Sequence, residues 1–206
     1  MVPALVFATL AIARPLRMNA ALLVLFSLGF GLAGWFYFSA LTDFGFADLS
    51  LFLFNDETFT GRTYIWQFAV DVIGRSPLIG QGYASFWGAG QGSIVEREAP
   101  GFIVDLLQAH NGYLDTLLET GAVGFAVLIA LILAALFVAA RSAVRRPAIA
   151  WLSMTLVLTA VFHNTLESSW FRGYAIIWML FVFAALLPRP EDVAPVAIRR
   201  GNSPRR

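Results

Sequence analysis

The sequence predicts an all-α integral membrane protein: about four complete transmembrane helices, a partial N-terminal one, and a large helical loop on the outer, periplasmic side. Three observations carry this. Of 206 residues, 59% are hydrophobic and 13% charged, and the mean hydropathy is +0.73; a soluble domain has about a quarter of its residues charged. Four runs approach the roughly 20 apolar residues that a bilayer requires and carry almost no charge. The remaining charges are segregated, with ten acidic residues against three arginines in residues 42–120.

Residues 1–13 are apolar but lack a basic leading region and a small-residue cleavage site, so they are not expected to act as a signal peptide. They are also too short to span, and read as the end of a transmembrane helix that begins upstream. The chain is therefore expected to be the C-terminal part of a longer protein. Residues 20–40 form the first full run and end in Trp35, Phe36, Tyr37 and Phe38, an aromatic belt suited to a membrane interface. At 1.5 Å per residue the run reaches about 30 Å, one hydrocarbon thickness. Residues 1–41 thus hold the partial and first full helices. Residues 42–121 form the outer loop, residues 122–187 hold three more transmembrane helices, and residues 188–206 form a Pro- and Arg-rich, disordered cytoplasmic tail.

Arginine distribution sets the orientation. All fourteen basic residues are arginine, and the ten at positions 14–17, 141–146 and 189–206 fall on one side. That side is cytoplasmic by the positive-inside rule. Arg62, Arg75, Arg97 and Arg172 fall on the other, together with both histidines. The expected location is the bacterial inner membrane, multi-pass, with the large loop in the periplasm. The chain has no cysteine, which removes disulfides and thiolate metal sites. No metal, no cofactor and no nucleic-acid partner is expected. A transporter or channel fits poorly, because ion pathways need ionisable groups within the spans.

Within the loop, Ile65, Phe68, Ala69, Val72 and Ile73 recur at helical spacing, predicting a helix from Gly61 to near Gly74 with Thr60 as its N-cap. Residues 76–92 read as a glycine-punctuated loop in which a turn at Gly80-Gln81-Gly82 presents Tyr83 and Trp87. Those rings suit stacking on sugars or an interface belt. Phe102 to Thr120 reads as one or two helices carrying His110, and Asp115 and Glu119, four apart, as a solvated face.

Two residues stand out for chemistry. Histidine is the side chain that exchanges protons most readily near neutrality, and His110, beside Asn111, Tyr113 and Asp115, is suited to general-base work. The plain alternative is a structural hydrogen-bond partner. Arg62, at the start of a helix in an acidic loop, is suited to clamping an anion, since a guanidinium matches phosphate oxygens bidentately; the alternative is a surface anchor. Glu167 and Arg172 flank a short outer turn from His163, where either a tying pair (Glu167–Arg172 or Glu167–His163) or a substrate contact is expected.

His110-Asn111, nine residues, then Gly121-Ala122-Val123-Gly124 resembles the signature of the O-antigen ligase/polymerase family of bacterial envelope proteins. That family includes lipopolysaccharide O-antigen ligases, Wzy-type and ExoQ-like polysaccharide polymerases, and pilin O-oligosaccharyltransferases. Gly61-Arg62-Thr63 with Trp66, and Pro77 with Gly80-Gln81-Gly82-Tyr83, are similar to family features in the same order. The resemblance implies a metal-independent glycosyltransferase that moves a glycan from an undecaprenyl-diphosphate carrier to an acceptor glycan or lipid A-core within the bilayer's outer face. It implies His110 as base and Arg62 as the diphosphate ligand, with Glu167 and Arg172 lining the acceptor or donor groove; Asn111 and Tyr83 are further candidate substrate-binding residues. Family members are about twice as long, so a truncated, non-catalytic membrane remnant or subunit is the alternative.

Overall fold

The computed structural model describes residues 1–88 and 90–189. The sequence reading of residues 188–206 as a tail therefore lies almost wholly outside the described residues. Among the described residues the elements are helical: α1 (Val2–Leu16), α2 (Ala20–Thr42), α3 (Phe46–Phe54), α4 (Arg62–Ile73), α5 (Ile94–Glu98), a 3-10 turn (Gly101–Asp105), α6 (Gly112–Ser142), α7 (Pro147–His163) and α8 (Ile176–Leu186). Two of these, α2 with 23 residues and α6 with 31, are long and apolar enough to cross a membrane. The other apolar helices are shorter, at 15 residues in α1, 17 in α7 and 11 in α8.

Two separate cores organise the chain. In the first, α7 packs against α1, α6 and α8, and α2 touches α1 and α6. Leu128, Leu136, Met154, Val157 and Phe181 fill its centre, and Ala139, Ala160 and Ala184 are buried at the helix crossings. Small residues there let backbones approach closely where lipid supplies no hydrophobic drive. The second core belongs to the outer loop. Ile65, Phe68 and Val72 of α4 meet Phe86, Trp87, Val95, Ile103 and Leu118. The 42–121 segment thus forms a small hydrophobic unit seated on α6, and it holds part of the candidate site.

Helix α6 is broken at Gly121, where φ is 62° and ψ is −165°. A regular helix would donate Ala122 N–H to Leu118 O and Val123 N–H to Glu119 O. Instead, residues 77–82 lie across the break as a strap. Ala122 N–H donates to Pro77 O (2.8 Å) and Val123 N–H to Leu78 O (3.2 Å); Gln81 N–H donates to Leu118 O (2.8 Å) and Gly82 N–H to Glu119 O (2.9 Å). The four groups of these two lost helix bonds are all satisfied by the strap, as irregular backbone near a membrane requires. Both glycines at the crossing are dictated by it. A Cβ on Gly121 would overlap the Leu78 backbone, and one on Gly80 would come within 2.5 Å of the Glu119 carbonyl carbon. The Gly80–Gly82 turn expected to present aromatic rings is therefore chiefly a docking strap.

The expected helical setting of His110 is corrected. After the 3-10 turn the chain is irregular, and His110 sits in the left-handed region with φ 52°. Asn111 caps the next helix, and that strong start signal ends any helix arriving from Phe102.

Candidate functional site

Arg62 is delivered by a tight turn. Asp56 Oδ1 accepts from Thr58 N–H (2.7 Å) and Thr58 Oγ1–H (2.6 Å), and Oδ2 accepts from Thr60 N–H (3.1 Å). The Thr58 hydroxyl and backbone bonds hold the Asp56 carboxyl below its ordinary range. Thr58 Oγ1 accepts in turn from Gly61 N–H (2.9 Å). The helix cap is Gly61, with φ 82°, rather than Thr60, whose hydroxyl donates back to Phe59 O (2.6 Å) instead of capping the helix. The Arg62 guanidinium then lies 5.4 Å from the centre of the Phe59 ring, which limits its swing.

His110 is pinned from both sides. Ala109 O accepts from Trp66 Nε1–H (3.0 Å), and Ala109 N–H donates to both oxygens of Asp115 (3.1 Å each). Asp115 also accepts from Trp87 Nε1–H at 2.7 Å. Asn111 Oδ1 accepts from Tyr113 and Leu114 N–H, its amide donates to Thr165 O (3.2 Å), and its N–H donates to Ser168 Oγ (3.1 Å). Both polar ends of the Asn111 side chain are therefore engaged by the fold, as an N-cap and as a tie to the 163–172 turn. Replacing it with Ala is expected to cost about 1–2 kcal/mol of stability, read as a lowered melting temperature in detergent.

The 163–172 turn brings the third group. Asn164, fully buried, accepts on Oδ1 from Ser169 N–H (2.7 Å) and Trp170 N–H (3.1 Å) and donates to Ala160 O. Gly112 N–H donates to both Asn164 O and Glu167 O (2.9 Å each), so the turn is fastened to the start of α6. Glu167 consequently faces the site. Its Oε1 is 3.6 Å from Arg62, and its Oε2 is 3.4 Å from His110 Nδ1 and 3.1 Å from Gln108 Nε2. The Arg62, His110 and Glu167 side chains remain 21%, 30% and 41% exposed, open to an incoming ligand.

The pairing expected for the turn is different in detail. Arg172 binds Glu119 at 2.5 Å, and Glu167 binds neither Arg172 nor the His163 ring. Asp115 and Glu119 are buried, at 4% and 5% exposure, and are not a solvated face. The spacing put them correctly on one face, but Trp87 and Arg172 cover that face. Tyr83 is exposed; its hydroxyl donates to Phe171 O (2.7 Å), and the Arg172 guanidinium lies 5.9 Å from its ring centre. Trp87 is buried in the outer core and is unavailable for stacking.

The structure brings Arg62, His110 and Glu167 together, with Asn111 supporting them; Tyr83 and Arg172 form a neighbouring group on the strap side. Gln108, Asn164 and Ser168 belong to the site without having been signalled. They are short-range polar residues whose partners lie more than 50 positions away or across the turn. Among the described residues no group of three metal-ligating side chains is assembled.

A family model described as O-antigen ligase matches residues 1–129, which include Arg62, His110 and the Gly121–Gly124 motif. The exopolysaccharide production protein ExoQ of Rhizobium meliloti is 36% identical over 97 residues, covering 45% of this chain and 22% of that protein. The match thus spans less than a quarter of the relative's own length. No solved structure matches.

Proposed function

Because this chain belongs to the O-antigen ligase family, we propose that it works in polysaccharide biosynthesis as a glycosyltransferase using an undecaprenyl-diphosphate-linked glycan as donor. The observation that carries this reading is the convergence of Arg62, His110 and Glu167 from three separate segments onto one exposed point. His110 takes the proton from an acceptor sugar hydroxyl as that oxygen forms a bond to the anomeric carbon of the donor. The bond from that carbon to the diphosphate breaks, and undecaprenyl diphosphate leaves. Negative charge concentrates on the departing diphosphate, where a pre-placed guanidinium stabilises it without reorganisation. Arg62 fills that part, so the chemistry runs without a metal. Glu167, accepting from Nδ1–H, leaves Nε2 as the basic nitrogen. The tie of Tyr83 to the turn and the Arg172–Glu119 pair support a groove wall beside the reacting centre.

In the accompanying topology α2 and the part of α6 after Gly121 cross the membrane, and the shorter apolar helices α7 and α8, with α1 before them, pack beside them within it. In this reading Arg14, Arg17, Arg141, Arg145 and Arg146 face the cytoplasm and the site faces the periplasm.

The test is a profile of surface and carrier-linked glycans in the native host. Arg62→Ala is expected to slow transfer by about 10²–10³-fold, as removal of one charge-stabilising donor does. Single repeat units accumulating on the carrier indicate a polymerase, the reading favoured by the Gly61-Arg62-Thr63 segment with Trp66 and the compact loop, which resemble those of ExoQ-like proteins. Long carrier-linked chains that never reach lipid A-core indicate a ligase. A deletion that leaves both pools unchanged rejects the enzymatic reading.

A further inference from the structure

Three groups meet at one nitrogen. His110 Nδ1 lies 3.4 Å from Glu167 Oε2 and 3.3 Å from Gln108 Nε2, and those two atoms are 3.1 Å apart. Such a triangle cannot satisfy all three contacts at once. With a proton on Nδ1, the ring donates to Glu167 and faces the Gln108 amide donor unfavourably. With Nδ1 bare, it accepts from the second amide hydrogen of Gln108, and its lone pair faces the carboxylate. These are the two neutral tautomers of the ring, and they differ in what they can do. The first leaves the Nε2 lone pair free to take a proton. The second puts the proton on Nε2 and leaves no base there.

The charge available on Glu167 decides between them, and that charge is shared. Arg62 sits 3.6 Å from the other carboxylate oxygen. An unshared charge-assisted bond closes to about 2.7–2.9 Å, so Glu167 is stretched between Arg62 and His110 and closes fully on neither. While Arg62 holds part of the carboxylate's charge, the Gln108 amide competes well for Nδ1.

We propose that Gln108 is a positioning residue that keeps His110 idle, its proton on Nε2, until an anionic donor draws Arg62 away from Glu167. The freed carboxylate then captures Nδ1–H and bares the Nε2 lone pair. The ring gives the Nε2 proton to water and takes one from water at Nδ1, so its charge is unchanged. Donor binding thereby arms the base, and the empty site holds none. This trigger rests on the reading of Arg62 as the diphosphate ligand.

The chain has two histidines, His110 and His163, so ring nitrogen-15 NMR of the full chain in detergent micelles gives two sets of signals, which His163→Gln assigns. Spectra are recorded at alkaline pH with inorganic pyrophosphate as the probe, and its binding is read separately by phosphorus-31 line broadening. The wild type is expected to carry the proton on Nε2 alone and on Nδ1 with saturating pyrophosphate. Gln108→Met is expected to hold it on Nδ1 without pyrophosphate, and Glu167→Gln to keep it on Nε2 with pyrophosphate bound; Gln108→Ala serves if the methionine variant does not fold. Bound pyrophosphate with an unmoved His110 tautomer overturns the proposal, as does a Gln108 variant that keeps the resting tautomer. Failure of pyrophosphate to bind overturns the reading of Arg62 and the trigger with it, while the Gln108 spectrum still decides the positioning role.

Discussion

Replacing His110 with alanine is expected to lower glycan transfer by about 10²–10⁴-fold, the usual contribution of a positioned general base. The acceptor is a sugar hydroxyl, a poor nucleophile until its proton leaves. His110 is held for this task by its neighbours rather than by its own helix: Ala109 is clamped by Trp66 and Asp115, and Asn111 begins α6. The substitution should therefore leave the site's frame standing. The left-handed backbone at His110 (φ 52°) strains alanine, whereas asparagine accepts that conformation readily. His110→Asn is the matched control, equally inactive but with an unstrained loop. The measurement is turnover of carrier-linked glycan in membrane vesicles, normalised to the amount of protein in the membrane. Long chains formed at the wild-type rate by either variant would remove His110 from the chemistry.

Gly121→Ala is expected to cost roughly 5–7 kcal/mol, combining about 1–3 kcal/mol for a backbone region nearly closed to other residues with about 1 kcal/mol for each of the strap hydrogen bonds lost. The added methyl group would overlap the Leu78 backbone and push the strap off the break. Ala122 and Val123 N–H and the Leu118 and Glu119 carbonyls would then lose their partners together. The outer half of α6 carries Asp115 and, through Asn111, the approach to His110, so displacement there misaligns the site as well as weakening the fold. Against a stability of about 5–15 kcal/mol, the loss should appear as a markedly lower melting temperature in detergent and a reduced level in the membrane. Gly29→Ala in α2 is the control, since nothing lies within 4 Å of its added carbon. Equal melting of the two variants would mean the strap does not hold the break.

Much of the outer loop's plan was readable because it rests on local signals. The apolar spacing of Ile65, Phe68 and Val72 marked α4, and those residues are its buried face. The family resemblance picked out His110 and Arg62, and each of them lies against Glu167. The cap at Gly61 was misassigned to Thr60, because the left-handed turn there is imposed by Asp56 through side-chain bonds that propensity alone does not register. Gly121 of the Gly121–Gly124 motif was legible as part of a pattern but not as a device, since its reason is a strap more than 35 residues earlier in the chain.

Composition alone determined that this is a helical membrane protein with a long acidic segment between its apolar runs. Apolar run lengths and charge segregation are one-dimensional properties, set by the solvent each stretch must face. Only the tertiary structure decided which charges pair. Four-residue spacing puts Asp115 and Glu119 on one helix face whether that face is wet or dry. Trp87 and Arg172, the latter 53 residues from Glu119 along the chain, make it dry. The same holds for Glu167, whose partners could have been Arg172 or His163 by proximity in sequence. It faces Arg62 and His110 instead, because Asn164 and Gly112 fasten its turn to the start of α6. A carboxylate's role follows from what encloses it, and enclosure is a property of the packed chain.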